Sequence, residues 1–215
     1  NANDESGNGN NGTVNGATLT TDRSGVVNSA LSFDGVNDYV RVEDSLSLDI
    51  AGAITIEAWV KINSISDYWG IVSKRINWID CNYQVYFAQD GSNNWMNPRF
   101  TFYNGGWPTH IATNAHLFVD TWYYVAVTFN ENTDEIKMYV NGDEVYSGTE
   151  TLTMSTNNAP LYLGWETGVE YFDGSMDEVA IYNRALSASE IQELYSGTTP
   201  TPTPSPTTTP IPTPI

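Results

Sequence analysis

Asp173, Asp177 and Glu178 crowd three carboxylates at the entrance to a stretch that alternates like a β-strand. Hard oxygen donors at that density suit either a solvated turn or a hard divalent cation. A second chemistry sits in residues 66–121, where Trp78, Trp95 and Trp107, with Tyr103, stand among Asn, Asp and Gly. Aromatic rings stack on sugar faces while amides and carboxylates meet sugar hydroxyls, so these four are candidate carbohydrate-binding residues, packing under long loops being their other use. A third group is modifiable. Asn11-Gly12-Thr13 is an N-glycosylation sequon at Asn11. The hydroxyls of Thr199, Thr201, Thr203, Ser205, Thr207, Thr208, Thr209 and Thr213 lie in a Thr/Pro run of the kind that carries O-linked sugars. His110 and His116 have no neighbour at metal-ligand spacing and receive no role.

The elements that must position these groups are short strands. Ile54, Ile56, Ala58, Val60 and Ile62 fall on one face of 54–62, with Thr55, Glu57, Trp59 and Lys61 on the other. Further alternating runs cover 29–34, 38–42, 83–88, 99–103, 122–130, 135–140, 144–146, 161–164 and 177–182. Residues 1–16 read as a loop, and Gly35-Val36-Asn37 as a turn between two strands. Asn141-Gly142 marks a hairpin, because both positions favour the left-handed backbone that a tight primed turn needs. Ser187 and Glu190 form a capping box that starts a short helical turn, and Gly197 suits its left-handed stop. Trp59 and Trp122, inside regular strands, belong to the core or a sheet face. From Thr198 onward seven of the ten prolines alternate with Thr and Ser, and no charge is present. That segment, 198–215, reads as an extended polyproline II spacer following one domain over 1–197.

Composition narrows the partners. Acidic residues outnumber basic ones 26 to 8, giving a formal charge of −18. Phosphate backbones and anionic membrane surfaces are repelled, so neither nucleic acid nor membrane insertion is expected. No stretch has the ~20 apolar residues of a membrane span. The single Cys81 excludes an intrachain disulfide. A start at Asn1, without a basic and then apolar leader, fits a mature secreted chain whose signal peptide has been removed.

Several motifs in order resemble one family. Asp4-Glu5-Ser6-Gly7-Asn8-Gly9-Asn10-Asn11-Gly12-Thr13 is similar to its opening, and Ala30-Leu31-Ser32-Phe33-Asp34-Gly35-Val36-Asn37-Asp38-Tyr39-Val40 to its first long motif. Ile54–Lys61, Trp122–Thr128, the Met138–Gly142 hairpin and 173–191 match later strands. Together, over about 1–197, they resemble a laminin-G-like domain of the concanavalin A-like superfamily, in its microbial secreted or cell-surface form. The fold so implied is all-β: a two-sheet antiparallel jelly-roll sandwich with one short C-terminal helical turn and an extended tail. The resemblance also implies a structural Ca²⁺. With the first and last strands side by side, Asp34, Asp38, Asp173 and Asp177 would converge, and Asp4 and Asn8 could add ligands from the opening loop; turn capping is the alternative use of these acids.

Catalysis finds little support. The paired-acid strand motif of jelly-roll glucanases is missing, as are zinc-protease, serine-hydrolase, P-loop and dinucleotide motifs. The expectation is therefore a non-enzymatic extracellular module that binds glycans or cell-surface polysaccharide and mediates adhesion. Two alternatives are a structural subunit of an extracellular filament or surface layer, self-associating through its tail, and an ancillary domain of a larger secreted hydrolase.

Overall fold

The alternation over 54–62 builds β5 (Ala53–Ile62), whose Ile54, Ile56, Ala58, Val60 and Ile62 are all buried. A strand with one apolar face must bury it against a second layer. In the computed structural model, which describes residues 2–77, 79–91, 93–166 and 171–197, that layer is another sheet. The back sheet runs, in spatial order, β12 (Asp143–Thr149), β11 (Glu135–Val140), β10 (Trp122–Asn130), β5, β14 (Asp173–Tyr182), β3 (Ala30–Asp34) and β2 (Thr18–Thr20). The front sheet runs β1 (Gly12–Asn15), β4 (Tyr39–Val42), β13 (Leu161–Leu163), β6 (Trp69–Asn77), β7 (Asp80–Ala88), β8 (Asn97–Thr101) and β9 (Thr109–Ile111). Neighbours in both sheets are antiparallel, and the result is a jelly-roll sandwich. Phe33, Val60, Ile71, Tyr83, Phe87, Phe100, Phe129 and Met138 fill the interior between the layers.

The strands on either side of Gly35-Val36-Asn37 do not form a hairpin. β3 lies in the back sheet and β4 in the front sheet. The turn carries the chain across the sandwich instead. Gly35 has φ 74°, and a Cβ there would sit 2.9 Å from Cβ of Asp173. Asp34 Oδ1 accepts the Val36 N–H at 2.9 Å, and Asp38 Oδ2 accepts the Asp34 N–H at 3.0 Å. At 141–142 the expected tight hairpin is present, with φ 53° and 82° joining β11 to β12.

Regular structure is more extensive than the sequence pattern suggests, β2 and the start of β14 included. β1 lies inside the segment read as a loop, and 66–121 contains β6, β7, β8 and β9. Register shifts at Gly70/Val72 and Lys74/Arg75 interrupt the period of two there, and Ser73, Arg75 and Gln84 are polar yet buried. The helix α1 (Ala188–Ser196) follows the capping box: Glu190 N–H donates to Ser187 Oγ, and Ser187 N–H donates to the Glu190 carboxylate. Gly197, at φ 73°, ends it. No described helix is long and apolar enough to cross a membrane.

Candidate functional site

Register places one continuous row of side chains on the outer face of the front sheet. Arg41 opposes Tyr162, Tyr162 opposes Ser73, Ser73 opposes Gln84, Gln84 opposes Thr101, and Thr101 opposes Thr109. Their strand neighbours Val40, Leu161, Val72, Val85 and Phe100 point inward to the core. Five interstrand steps of ~4.8 Å make this row about 24 Å long. Three of the five arginines of this strongly acidic chain, Arg41, Arg75 and Arg99, stand on β4, β6 and β8.

At its centre lies a buried polar network. Gly70 lacks the Cβ that would meet Glu166 at 3.0 Å, so the chain after β13 crosses β6 there and brings Glu166 onto the sheet. Glu166 forms an ion pair with Arg75, and both side chains are almost wholly buried. Tyr68 donates its hydroxyl to Glu166 and receives the Gln84 side-chain N–H. Burial, offset in part by the Tyr68 hydrogen bond and by Arg75, pushes the Glu166 carboxyl up to about 7. The Tyr68 ring stacks on Tyr86, centroids 4.4 Å apart and planes 16° from parallel. One face of Tyr68 is thus fixed by Tyr86 and its hydroxyl by Glu166.

Aromatic clusters flank this network on both sides. Tyr39 and Tyr162, from β4 and β13, meet Trp165 and Tyr171, with the last two stacked at 5.6 Å and 12°. All four are half-buried. On the other side Trp107, 37% exposed, packs on Tyr103 at 5.2 Å, and the Arg75 guanidinium lies 5.8 Å from its ring. Rings flanking a polar centre offer stacking surfaces and hydrogen-bonding groups together, the combination that a sugar ring requires.

The structure sorts the expected residues unevenly. Tyr103 and Trp107 join this face. Trp95 packs instead against His116, ring centroids 4.3 Å apart and planes tilted by 32°, beside Phe118. Trp78 lies outside the described residues, as do Thr199, Thr201, Thr203, Ser205, Thr207, Thr208, Thr209 and Thr213. Asn11 is exposed before β1, where its Oδ1 accepts the Asp4 N–H. The sequence reading missed Arg75, Glu166, Tyr68, Tyr86 and the Tyr39–Tyr162–Trp165–Tyr171 group. The usable signal was Arg75 itself, one of eight cations, alternating with Ser73 inside a strand.

The six expected calcium ligands do not form one donor set. Asp34 and Asp173 oppose each other across β3 and β14, as the adjacency of first and last strands requires. Each, however, already accepts hydrogen bonds from the protein. Asp34 caps its turn, and Asp173 accepts from Asn63 at 3.2 Å and Ser64 at 2.6 Å. Burial pushes the Asp38 carboxyl up while it accepts from Asp34. Asp177 and Glu178 face Arg23, at 3.2 and 2.9 Å, so an internal cation already meets their charge. Asp4 holds the Ser6 and Asn10 N–H groups, and Asn8 donates to Ser6. Among the described residues, no three His, Cys, Asp or Glu gather at metal-holding distance. This arrangement does not fit a calcium cage built from that set.

Comparison with known proteins agrees with the architecture. Residues 34–192 match the concanavalin A-like lectin/glucanases superfamily. Domain 4 of AbnA, an extracellular GH43 arabinanase of Geobacillus stearothermophilus solved in complex with arabinotriose, superposes with a TM-score of 0.73 at 21% identity, over 91% of this chain and 93% of that one. The binding domain of Paraclostridial Mosquitocidal Protein 1 gives 0.70 at 19% identity, over 91% of this chain and 49% of that one. The heptameric SAP-like pentraxin of Limulus polyphemus gives 0.62 at 14%, over 76% and 80%. At these identities the likeness is one of fold. No curated protein matches the chain in sequence.

Proposed function

Because this chain belongs to the concanavalin A-like lectin/glucanases superfamily, we propose that it is a carbohydrate-binding module whose ligand lies along the outer face of the front sheet. One observation carries the reading: a polar cross-strand row about 24 Å long, bracketed by the Tyr39–Tyr162–Trp165–Tyr171 cluster and the Tyr103–Trp107 pair. That length accommodates several sugar rings of an extended chain. Tyr162 and Trp165 stack on ring faces at one end and Trp107 at the other, and the half-buried Arg41 and the exposed Thr109 meet hydroxyls. The arabinotriose held by a domain of the same fold makes a neutral oligosaccharide the first ligand to try.

Binding rather than hydrolysis suits this face. Glycoside hydrolysis needs two carboxyl groups flanking the scissile bond within reach of its oxygen. Glu166 is shut from solvent and engaged by Arg75 and Tyr68, so its role is to hold the surface in shape. A secreted or surface-displayed setting, with the Thr/Pro segment as spacer, completes the proposal.

The test is titration calorimetry against arabino-, xylo- and gluco-oligosaccharides of three to six units, after a glycan-array survey. Binding to at least one neutral series is expected, weakened tenfold or more (about 1.4 kcal/mol) by Trp165→Ala. Trp59→Ala, on the opposite face, should leave affinity unchanged. Silence across the array, or equal loss from both variants, would sink the assignment.

A further inference from the structure

A cavity of about 750 Å³ opens between the two sheets beside the edge strands β1 and β2. Its lining changes character with depth. Phe33, Val40, Val42, Leu161 and Met176, all buried, form the inner wall. Asn3, Glu5, Asn28 and Glu178, all exposed, stand at the rim. The charge of the lining has one sign. Asp4, Glu5, Asp177 and Glu178 contribute to it, and among the described residues no Lys, Arg or His does. Arg23, which is not part of the lining, meets Asp177 and Glu178 with one charge for two carboxylates. A concave surface lined by carboxylates concentrates cations. The backbone adds acceptors. β3 pairs with β14 only at Asp173–Met176, and among the described residues no strand pairs with 178–182 on that side. Carbonyl groups that face it therefore have no ladder partner.

An apolar floor under an acidic rim selects its occupant by elimination. A hydrocarbon leaves the rim carboxylates without a partner, and an anionic amphiphile meets like charge there. A small hydrophilic cation leaves the inner wall uncovered. We propose that the cavity binds a single-chain cationic amphiphile, with its alkyl chain along Phe33, Val40 and Leu161 and a primary ammonium at the rim beside Asp177 and Glu178. An ammonium carries three N–H donors and no acceptor, which suits a rim of carboxylates and unpaired carbonyls. The volume lies within the roughly 300–1,000 Å³ of small-molecule sites. This site is separate from the sugar-binding row. Arg41 and Tyr162 of that row alternate along β4 and β13 with Val40 and Leu161, which point inward to the cavity.

The experiment titrates the full chain with butyl-, hexyl- and octylammonium chloride below their micelle-forming concentrations, following heat and backbone amide NMR shifts. Affinity should rise about fourfold per added methylene, as burial of the chain requires. Shifts should change at 28–33 and 176–182 and stay fixed in β10. Octanoate and octyl glucoside, with the same chain and an anionic or neutral head, should bind at least tenfold more weakly. Glu178→Gln, at an exposed position, should weaken octylammonium about threefold and leave octyl glucoside unchanged. Affinity independent of chain length, with shifts spread over the acidic surface, would reduce the effect to surface ion pairing and overturn the proposal. Octanoate or octyl glucoside binding as tightly as octylammonium would overturn the cationic head.

Discussion

Each outer face of the sandwich hides one carboxylate that receives a tyrosine hydroxyl, and the two are used differently. On the front, Glu166 takes Tyr68 and is ion-paired to Arg75. On the back, Glu57 takes Tyr124 and Tyr182, and among the described residues no cation lies at ion-pair distance. Burial raises both carboxyls. What covers them differs more. Leu186 and Ile191, before and within α1, pack onto Trp59, Tyr124 and Tyr139, so the back network sits under a helix. The front network sits under Tyr68 and half-exposed rings. A buried acid beneath a helix docks the helix. A buried acid beneath exposed rings fixes the rings, and a fixed ring loses less entropy when a ligand lands on it.

The largest break in that comparison should come from splitting the front pair. Arg75→Met leaves Glu166 buried without its cation and should cost ~3–5 kcal/mol in urea unfolding. The double variant Arg75→Met, Glu166→Leu removes both charges and should recover most of the loss. A single variant as stable as wild type would show that Arg75 and Glu166 do not interact in solution.

Next in size is the pH dependence of the front face. Glu166 is lifted from its ordinary 4.5 to about 7. Between those values the folded state holds a proton that the unfolded state has released, so rising pH favours unfolding. The contribution is therefore full below about 4.5 and lost by about 7. At 1.36 kcal/mol per unit, the ceiling is ~3 kcal/mol. Chemical denaturation from pH 4.5 to 8 should show this decline, and Glu166→Gln should flatten it. An unchanged slope in that variant would assign the dependence elsewhere.

Sequence made the layers legible and left the front face obscure, for a physical reason. Strands with one apolar and one solvated face announce themselves, as in 54–62 and 122–130. The capping box at Ser187–Glu190 and the Asn141-Gly142 turn are local, so they too could be read. The front-face strands bury polar groups such as Ser73, Arg75 and Gln84 beneath other polar groups, and their register shifts erase the period of two. Glu166 and Arg75 are 91 residues apart and meet only because Gly70 lets the chain pass close. No local pattern encodes that meeting. The acids near Asp34 and Asp173 were adjacent as expected, but Arg23, Asn63 and Ser64, far away in sequence, satisfy them.

The smallest effect sharpens the contrast. Glu57→Gln keeps a carbonyl for one tyrosine hydroxyl and offers an amide N–H to the other, whose hydroxyl oxygen can accept it. With no cation to strand, the exchange should cost within ~1 kcal/mol, against the several expected for Arg75→Met. The sign of its pH dependence is also set. Glu57 is raised, so its contribution is present at low pH and lost as pH rises through its folded value. The Gln variant should therefore gain on wild type as pH rises from the acidic to the basic end of a pH series when thermal midpoints are compared. A loss of several kcal/mol at both ends would mean that Glu57 is ionised and held by a charge, and the two faces would then be alike.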